Sequence, residues 1–312
     1  MRVLSLFDGM SCGQIALRDM GIVPEAYYAS EVDKFAIAQT QLNFPDTIQL
    51  GDVRQLNVEN LIGGGKIDLL IGGSPCQSFS FAGACKGMTT KENEKILSLD
   101  RYLELKEQGF EFEGQSYLFW EYMRILAELR KHNPDIKFLL ENVKMKKEWE
   151  RVLTEAIGVP GVLINSNLVS AQNRQRIFWT NIASVQQPKD RGVYLRDILE
   201  HEVDEKYFVS EKMMGWLLRH ASKRGTKMKI WSGDDKGGTI TATAEVKGSL
   251  STNWIKDMDN GRIRKPTPTE CARMQTVPSW YKWGCSDTQC YKLLGNGWTV
   301  EVIKHIFSYL NK

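Results

Sequence analysis

Three kinds of side chain in this sequence stand where chemistry is done: one thiol, one carboxylic acid and a pair of guanidinium groups. Cys76 follows two glycines, a serine and a proline in IGGSPCQSFS; Glu141 ends the apolar run FLLEN; Arg174 and Arg176 alternate in QNRQR. The run IDLLIGG reads as a buried parallel strand, and Pro75 fixes the backbone just before Cys76. A cysteine on a rigid turn at a strand's C-terminal end sits where open α/β sheets bind ligands. Taken alone, it is a nucleophile, a metal ligand, a disulfide half or a small buried residue. A carboxyl delivered by the neighbouring strand reaches the same edge, where desolvation can keep it protonated. Arg174 and Arg176 leave one side of an extended segment and can hold an acidic group or a phosphate. By itself QNRQR reads as a solvated face; beside a thiol and a carboxyl it becomes part of a constellation.

The elements that must position these groups are strands alternating with helical patterns. RVLSLF, EAYYAS, TIQL, IDLLIGG, KFLLEN, GVLINSNLVSA and RIFWTN are strand-like, and CGQIALRDMG, DKFAIAQTQLNF, LFWEYMRILAELRKHN and KKEWERVLTEAIG are helical. The alternation predicts an α/β fold, a doubly wound and mostly parallel sheet. Two regions break it. Residues 83–114 are polar, strandless and directly downstream of Cys76, which suits a functional or disordered loop. From about residue 183 to residue 265 the pattern fails, and a second, smaller domain is expected. The predicted division is a catalytic domain over 1–182, the smaller domain over 183–265, and a C-terminal segment over 266–312 that returns to the first. Val300, Ile303, Ile306, Phe307 and Leu310 make one apolar helical face in that segment.

Composition narrows the class. With 312 residues, 42% of them hydrophobic and 25% charged, the chain can bury a large core. A net charge of +3 is compatible with a polyanionic partner but too mild to establish one. No apolar run approaches the ~20 residues that span a bilayer, and MRVLSLFDG enters a strand at once, so a soluble cytoplasmic protein without a membrane partner is expected. The six cysteines form no C-x-x-C pair and the four histidines are scattered, which disfavours a structural metal.

The first three strand ends describe a nucleoside site. FDGMSCG supplies Gly9 and Gly13 for a tight turn and a close ligand approach. It is not G-x-G-x-x-G, so a dinucleotide is disfavoured. SEVD places Glu31 to accept from ribose hydroxyls, and GDVR offers Asp52 to an exocyclic amine.

In their order, FDGMSCG, SPCQSFS, ENV, QNRQR and LLGNGWTV resemble the motifs of the cytosine-C5 DNA methyltransferases. VLSLFDG, ASEV, GDVR, IGGSPC and RIFWTN are phrased most like the de novo subgroup, and the absence of chromatin-reading modules suggests a prokaryotic or phage member. The resemblance covers nearly all of 1–181 and 266–310. It implies a Rossmann-like class I methyltransferase using S-adenosylmethionine, held by Phe7, Asp8, Gly9, Met10, Glu31, Val32, Asp52, Val53, Pro75, Leu118, Asn296, Gly297 and Trp298. It implies that Cys76 attacks C6 of a flipped cytosine, that Glu141 engages N3, and that Arg174 and Arg176 orient Glu141 and the ring. Gly297 and Trp298 stand where many bacterial members have serine and valine, and the loop after Cys76 is longer than the family's usual form.

The resemblance also makes the smaller domain a target-recognition domain for double-stranded DNA. Lys223, Arg224, Lys227 and Lys229 suit phosphates, Thr239 and Thr241 suit base edges, and Ser78 beside Cys76 is a further DNA contact. Arg262, Arg264 and Lys265 in GRIRKP are further phosphate candidates. The basic run reads otherwise as a solubilising helix face, and Trp231 as a core aromatic. An RNA cytosine methyltransferase and a non-catalytic DNA-binding relative are the alternatives. A cysteine hydrolase is the weakest reading, since no histidine lies in a motif suited to activate Cys76. A companion restriction endonuclease, the target sequence and the oligomeric state are not legible.

Overall fold

Every residue of β1 (Arg2–Leu6) is buried, because this strand lies inside a sheet covered on both faces. The computed structural model describes residues 1–75, 88–89 and 94–310. Cys76 and Ser78 lie outside the described residues. The chain divides into two units. The first comprises Met1–Ile164, Gln175–Gln186 and Ile306–Lys312, and the second Asn165–Arg174 and Gln187–His305. Of the expected C-terminal segment, residues 266–305 thus group with the second unit.

From β1 the chain continues through α1 (Cys12–Asp19), β2 (Ala26–Ser30), α2 (Lys34–Asn43), β3 (Ile48–Gln49), α3 (Val58–Ile62) and β4 (Leu69–Gly73). It then forms α4 (Leu99–Glu107), α5 (Leu118–His132), β5 (Lys137–Val143), α6 (Lys147–Ile157), β6 (Gly161–Asn165) and β7 (Gln175–Thr180). The seven strands run in the order β3-β2-β1-β4-β5-β7-β6. β2, β1, β4 and β5 are parallel neighbours, and β7 turns antiparallel against β5. The doubly wound, mostly parallel sheet is therefore present. Order reverses after β3, so the C-terminal ends of β1 and β4 flank the switch point where such sheets bind ligands.

Local chemistry sets the element ends. Asp33 caps α2 by accepting from the Phe35 amide at 2.9 Å. Gly158, at φ 81°, closes α6 in the left-handed region that glycine tolerates. Gly13 departs from the expected ligand approach: a Cβ there would lie 2.2 Å from Ile71 Cδ1. Its bareness lets α1 press against β4, a packing role.

The strandless stretch after Cys76 contains α4, capped by Ser98 and docked on α5. Tyr102 and Leu105 are buried, and full burial of such side chains contributes about 1.5–3 kcal/mol each. The Tyr102 hydroxyl donates to the buried Glu121 at 2.6 Å, and Lys106 and Arg124 supply that carboxylate with cations. Phe112 stacks on Tyr117 and lies tilted against Tyr102, its ring centroid 4.9 Å from each. This part of the insertion belongs to the first unit's core.

The second unit contains α7 (Glu211–Lys223), β8 (Ile230–Trp231), α8 (Ala244–Lys247), β9 (Trp254–Lys256), β10 (Ile263–Arg264), α9 (Pro268–Met274), α10 (Asp287–Asn296) and most of α11 (Val300–Phe307). Its small sheet runs β10-β9-β8. A capping box starts α9: Thr267 accepts from the Glu270 amide and Glu270 from the Thr267 amide, with Pro268 in the first turn. Among the described residues no helix is long and apolar enough to cross a membrane.

Candidate active site

The loop leaving β1 is bent by left-handed backbone at Phe7 (φ 58°), Gly9 (φ 58°) and Ser11 (φ 65°). For an aromatic residue such a conformation costs about 1–3 kcal/mol, and strain of this kind concentrates at ligand sites. Nothing in the residue types foretold it at Phe7. Glu31, just past β2, clamps the loop: its carboxylate accepts from the Gly9 amide at 2.8 Å, and from the Val32 and Asp33 amides at 2.7 and 2.8 Å. Asp8 is buried and accepts from the Tyr27 hydroxyl at 2.9 Å. Burial pushes its carboxyl up to about 6, with the hydroxyls of Ser5, Ser11 and Tyr27 pulling down and Glu31 pushing further up.

Beyond β3, Asp52 forms a fork with Arg54, whose Nε lies 3.0 and 2.9 Å from its two oxygens. The Arg54 hydrogen bonds hold the Asp52 carboxyl below its usual range, against a partial burial that raises it. Sequence reading missed Arg54, although its spacing of two residues from Asp52 was visible. Met10 and Val53 are buried, Val32 is exposed, and Leu118 opens α5 half-buried. Glu31, Asp52 and the β1 loop thus occupy the ends of three adjacent strands.

On the other side of β1, the register pairs Gly73 of β4 with Glu141 of β5 and Glu141 with Phe178 of β7. Arg176 lies opposite Val143, and its Nε meets Glu141 Oε1 at 2.8 Å. That antiparallel pairing is what brings the two side chains together, since they are distant in sequence but share one end of β5. Asn142 turns the other way and donates to the Ser74 hydroxyl at 3.0 Å and the Ser74 carbonyl at 3.3 Å, bracing the backbone that enters Pro75. Its adjacency to Glu141 in ENV was the available signal for that bracing role. Pro75 is half-buried at the edge of the described segment.

Arg174 belongs to the second unit. Its Nη1 donates to the Ile240 carbonyl at 2.9 Å, and Nη2 to the Gly295 and Gly297 carbonyls at 3.1 and 2.8 Å. Of the two arginines of QNRQR, Arg176 meets the Glu141 carboxyl and Arg174 donates to backbone carbonyls of the second unit. Asn296 is exposed at the end of α10, Gly297 caps that helix, and Trp298 is buried within 9%.

Lys223, Arg224, Lys227 and Lys229 are all exposed at and after the end of α7, and Lys229 Nζ sits 3.6 Å over the Trp231 ring. Thr239 is half-buried and its hydroxyl donates to the Asn173 carbonyl at 2.7 Å; the Thr241 amide donates to Glu245 at 3.3 Å. Arg264 corrects an expectation. It is fully buried and forked onto Glu270 while its Nε meets Asp257 at 2.7 Å, so it cannot reach a phosphate. Arg262 is exposed but paired with Glu205, and Lys265 lies over the Tyr207 and Tyr291 rings. Among the described residues no group of three metal-binding side chains occurs.

The α/β switch point thus carries Asp8, Glu31, Asp52 and a strained loop on one side, and the Glu141–Arg176 pair on the other, at the edge where sheets of this kind bind ligands. The chain belongs to the C-5 cytosine-specific DNA methylase family, whose model matches residues 1–312. It is 26% identical to the type II methyltransferase M.NlaX of Neisseria lactamica over 98% of this chain and 94% of that one. It is 28% identical to the type II methyltransferase M.HpaII of Haemophilus parainfluenzae, over 96% and 86% of the two chains. Among solved structures, a DNMT2 mutant of Spodoptera frugiperda shares the fold, with a TM-score of 0.72, 22% identity, and coverage of 100% of this chain and 99% of that one.

Proposed function

We propose that this enzyme methylates C5 of cytosine in double-stranded DNA, with S-adenosylmethionine supplying the electrophilic methyl group. The observation that carries the reading is the Glu141–Arg176 pair at the end of β5, in register with the strand that leads through Pro75 to Cys76. The residues of the first three strand ends suit a nucleoside donor: Glu31 is fixed by three amides and can accept from ribose hydroxyls, and Asp52 can accept from an exocyclic amine. Phe7, Asp8, Gly9, Met10, Val32, Val53, Pro75 and Leu118 complete this unit's contribution.

In the proposed reaction the Cys76 thiolate adds to C6 of the cytosine, making C5 nucleophilic. Glu141 engages N3 and favours that addition, and Arg176 fixes the Glu141 carboxyl against rotation. C5 takes the methyl group, loses its proton, and Cys76 is expelled. The target atom is inaccessible inside a duplex, so the base must leave the stack. Residues 183–265 are proposed to carry target recognition, with Lys223, Arg224, Lys227 and Lys229 neutralising phosphates and giving affinity without sequence choice. The type II names of the relatives support a companion restriction endonuclease as a partner.

The test is bisulfite sequencing of plasmid DNA incubated with the protein and S-adenosylmethionine, beside a Cys76→Ala variant. Protected cytosines at a short recurring sequence, lost in the variant, are expected. Methyl transfer to RNA alone moves the substrate to RNA, and transfer that survives in the variant removes Cys76 from the mechanism.

A further inference from the structure

Outside the site described above, the second unit holds a close pair of thiols. Cys285 and Cys290 flank the start of α10, which Ser286 caps. Counting from that cap, Cys285 is the residue before it and Cys290 the fourth residue of the helix. These are the two positions that pack together in a hydrophobic staple. The staple here is made of sulfur: the two Sγ atoms lie 3.1 Å apart, and Cys290 Sγ also approaches the Cys285 carbonyl at 3.7 Å. Both cysteines are free.

Three further features bear on what the pair does. Cys285 is half-exposed while Cys290 is buried, so one thiol can be reached from solvent and the other waits behind it. Both line a cavity of about 300 Å³ with Trp283, Thr267 and His201, which leaves room for a small reagent. Burial, together with the neighbouring Cys285 thiol, pushes the Cys290 thiol up. The remaining described cysteines, Cys12 and Cys271, are buried.

We propose that Cys285 and Cys290 are a modification site, a dithiol that a hydroperoxide converts reversibly into a disulfide. The Cys285 sulfur attacks the terminal peroxide oxygen; the O–O bond breaks, the other oxygen leaves with the thiol proton, and Cys285 becomes a sulfenic acid. The Cys290 sulfur then attacks the Cys285 sulfur; the S–S bond forms, the S–O bond breaks, and water departs with the Cys290 proton. The sulfur pair loses two electrons and the peroxide gains them. Reaching bonding distance requires the sulfurs to close by about 1 Å.

α10 runs from this staple to Gly295, where a Cβ would lie 2.2 Å from the Ala242 amide nitrogen, so the helix end is wedged against backbone. The Gly295 and Gly297 carbonyls at that end accept from Arg174. A disulfide between Cys285 and Cys290 thus closes the first turn of the element whose other end anchors Arg174.

Trypsin releases both cysteines in one peptide, residues 283–292, which makes the test direct. The whole protein is treated with hydrogen peroxide, alkylated, digested and analysed by mass spectrometry. The expected peptide is unalkylated, lighter than the dithiol by two hydrogen atoms, and restored to two alkylatable thiols by dithiothreitol; in Cys285→Ser that species disappears. A peptide that keeps two free thiols while other cysteines oxidise, or that gains oxygen without ever losing the two hydrogens, overturns the proposal.

Discussion

Two arginine–carboxylate clusters, one in each unit, have nearly the same distances and opposite character. In the first unit Arg176 meets Glu141 at 2.8 Å, with 15% and 10% of their side-chain surfaces still exposed. In the second, Arg264 meets Asp257 and both oxygens of Glu270 at 2.7 Å, with exposures of 0%, 3% and 0%. Glu270 also accepts from the Glu200 and Thr267 amides, at 2.8 Å each. The buried cluster is saturated with hydrogen bonds and sealed, so it welds β10 to α9 and offers a ligand nothing. The strand-end pair keeps contact with solvent at the edge where sheets of this kind bind substrates. Distance does not separate the two clusters; exposure does.

The sharpest way to break that contrast is Arg264→Met. It leaves two buried carboxylates without their cation and should destabilise by about 3–5 kcal/mol, read as a fall in the urea midpoint. A loss below about 1 kcal/mol makes the two clusters alike. Glu141→Gln should do the reverse: methyl transfer falls by about 10²–10⁴-fold, while the urea midpoint falls by less than in Arg264→Met.

Asp8 adds a buried carboxyl with no cation beside it among the described residues, an intermediate case. Its folded-state value of about 6 lies above the ordinary 3.8. The folded protein therefore binds the proton more tightly than the unfolded chain, and stability falls as pH rises from about 4 to about 6, then levels off. The full cost is on the order of 3 kcal/mol. Asp8→Asn should flatten that pH profile in denaturant titrations, and an unchanged slope assigns it to another group. The smallest effect is expected at the exposed end of α7. Lys223→Ala should leave folding within about 0.5 kcal/mol and reduce the slope of log affinity for DNA against log salt by about 1.

Much of the first unit was legible because its signals are local. Apolar runs of strand length, each ending in glycine or an acidic residue, marked the edge where Glu31, Asp52, Glu141 and Pro75 stand. Arg174 was not legible in the same way: its carbonyl partners lie 66, 121 and 123 residues away in sequence, and no spacing rule reaches that far. Arg264 misled for the opposite reason. Its neighbours Arg262 and Lys265 make GRIRKP look like a basic patch, and only strand pairing turned the middle side chain inward. α4 was hidden by its charged residues, although Leu99, Tyr102, Leu103 and Leu105 all pack against the first unit's core.

The sequence by itself determined the alternation of strands and helices, the family, and the residue types at each strand end, because periodicity and motif spacing are properties of neighbouring residues. Only the tertiary structure decided which of two nearby arginines meets Glu141, that Arg264 is walled in by carboxylates, and that two thiols five residues apart face each other across a helix cap. Those outcomes depend on which side chains are desolvated together, and desolvation is set by the packing of segments far apart in the chain.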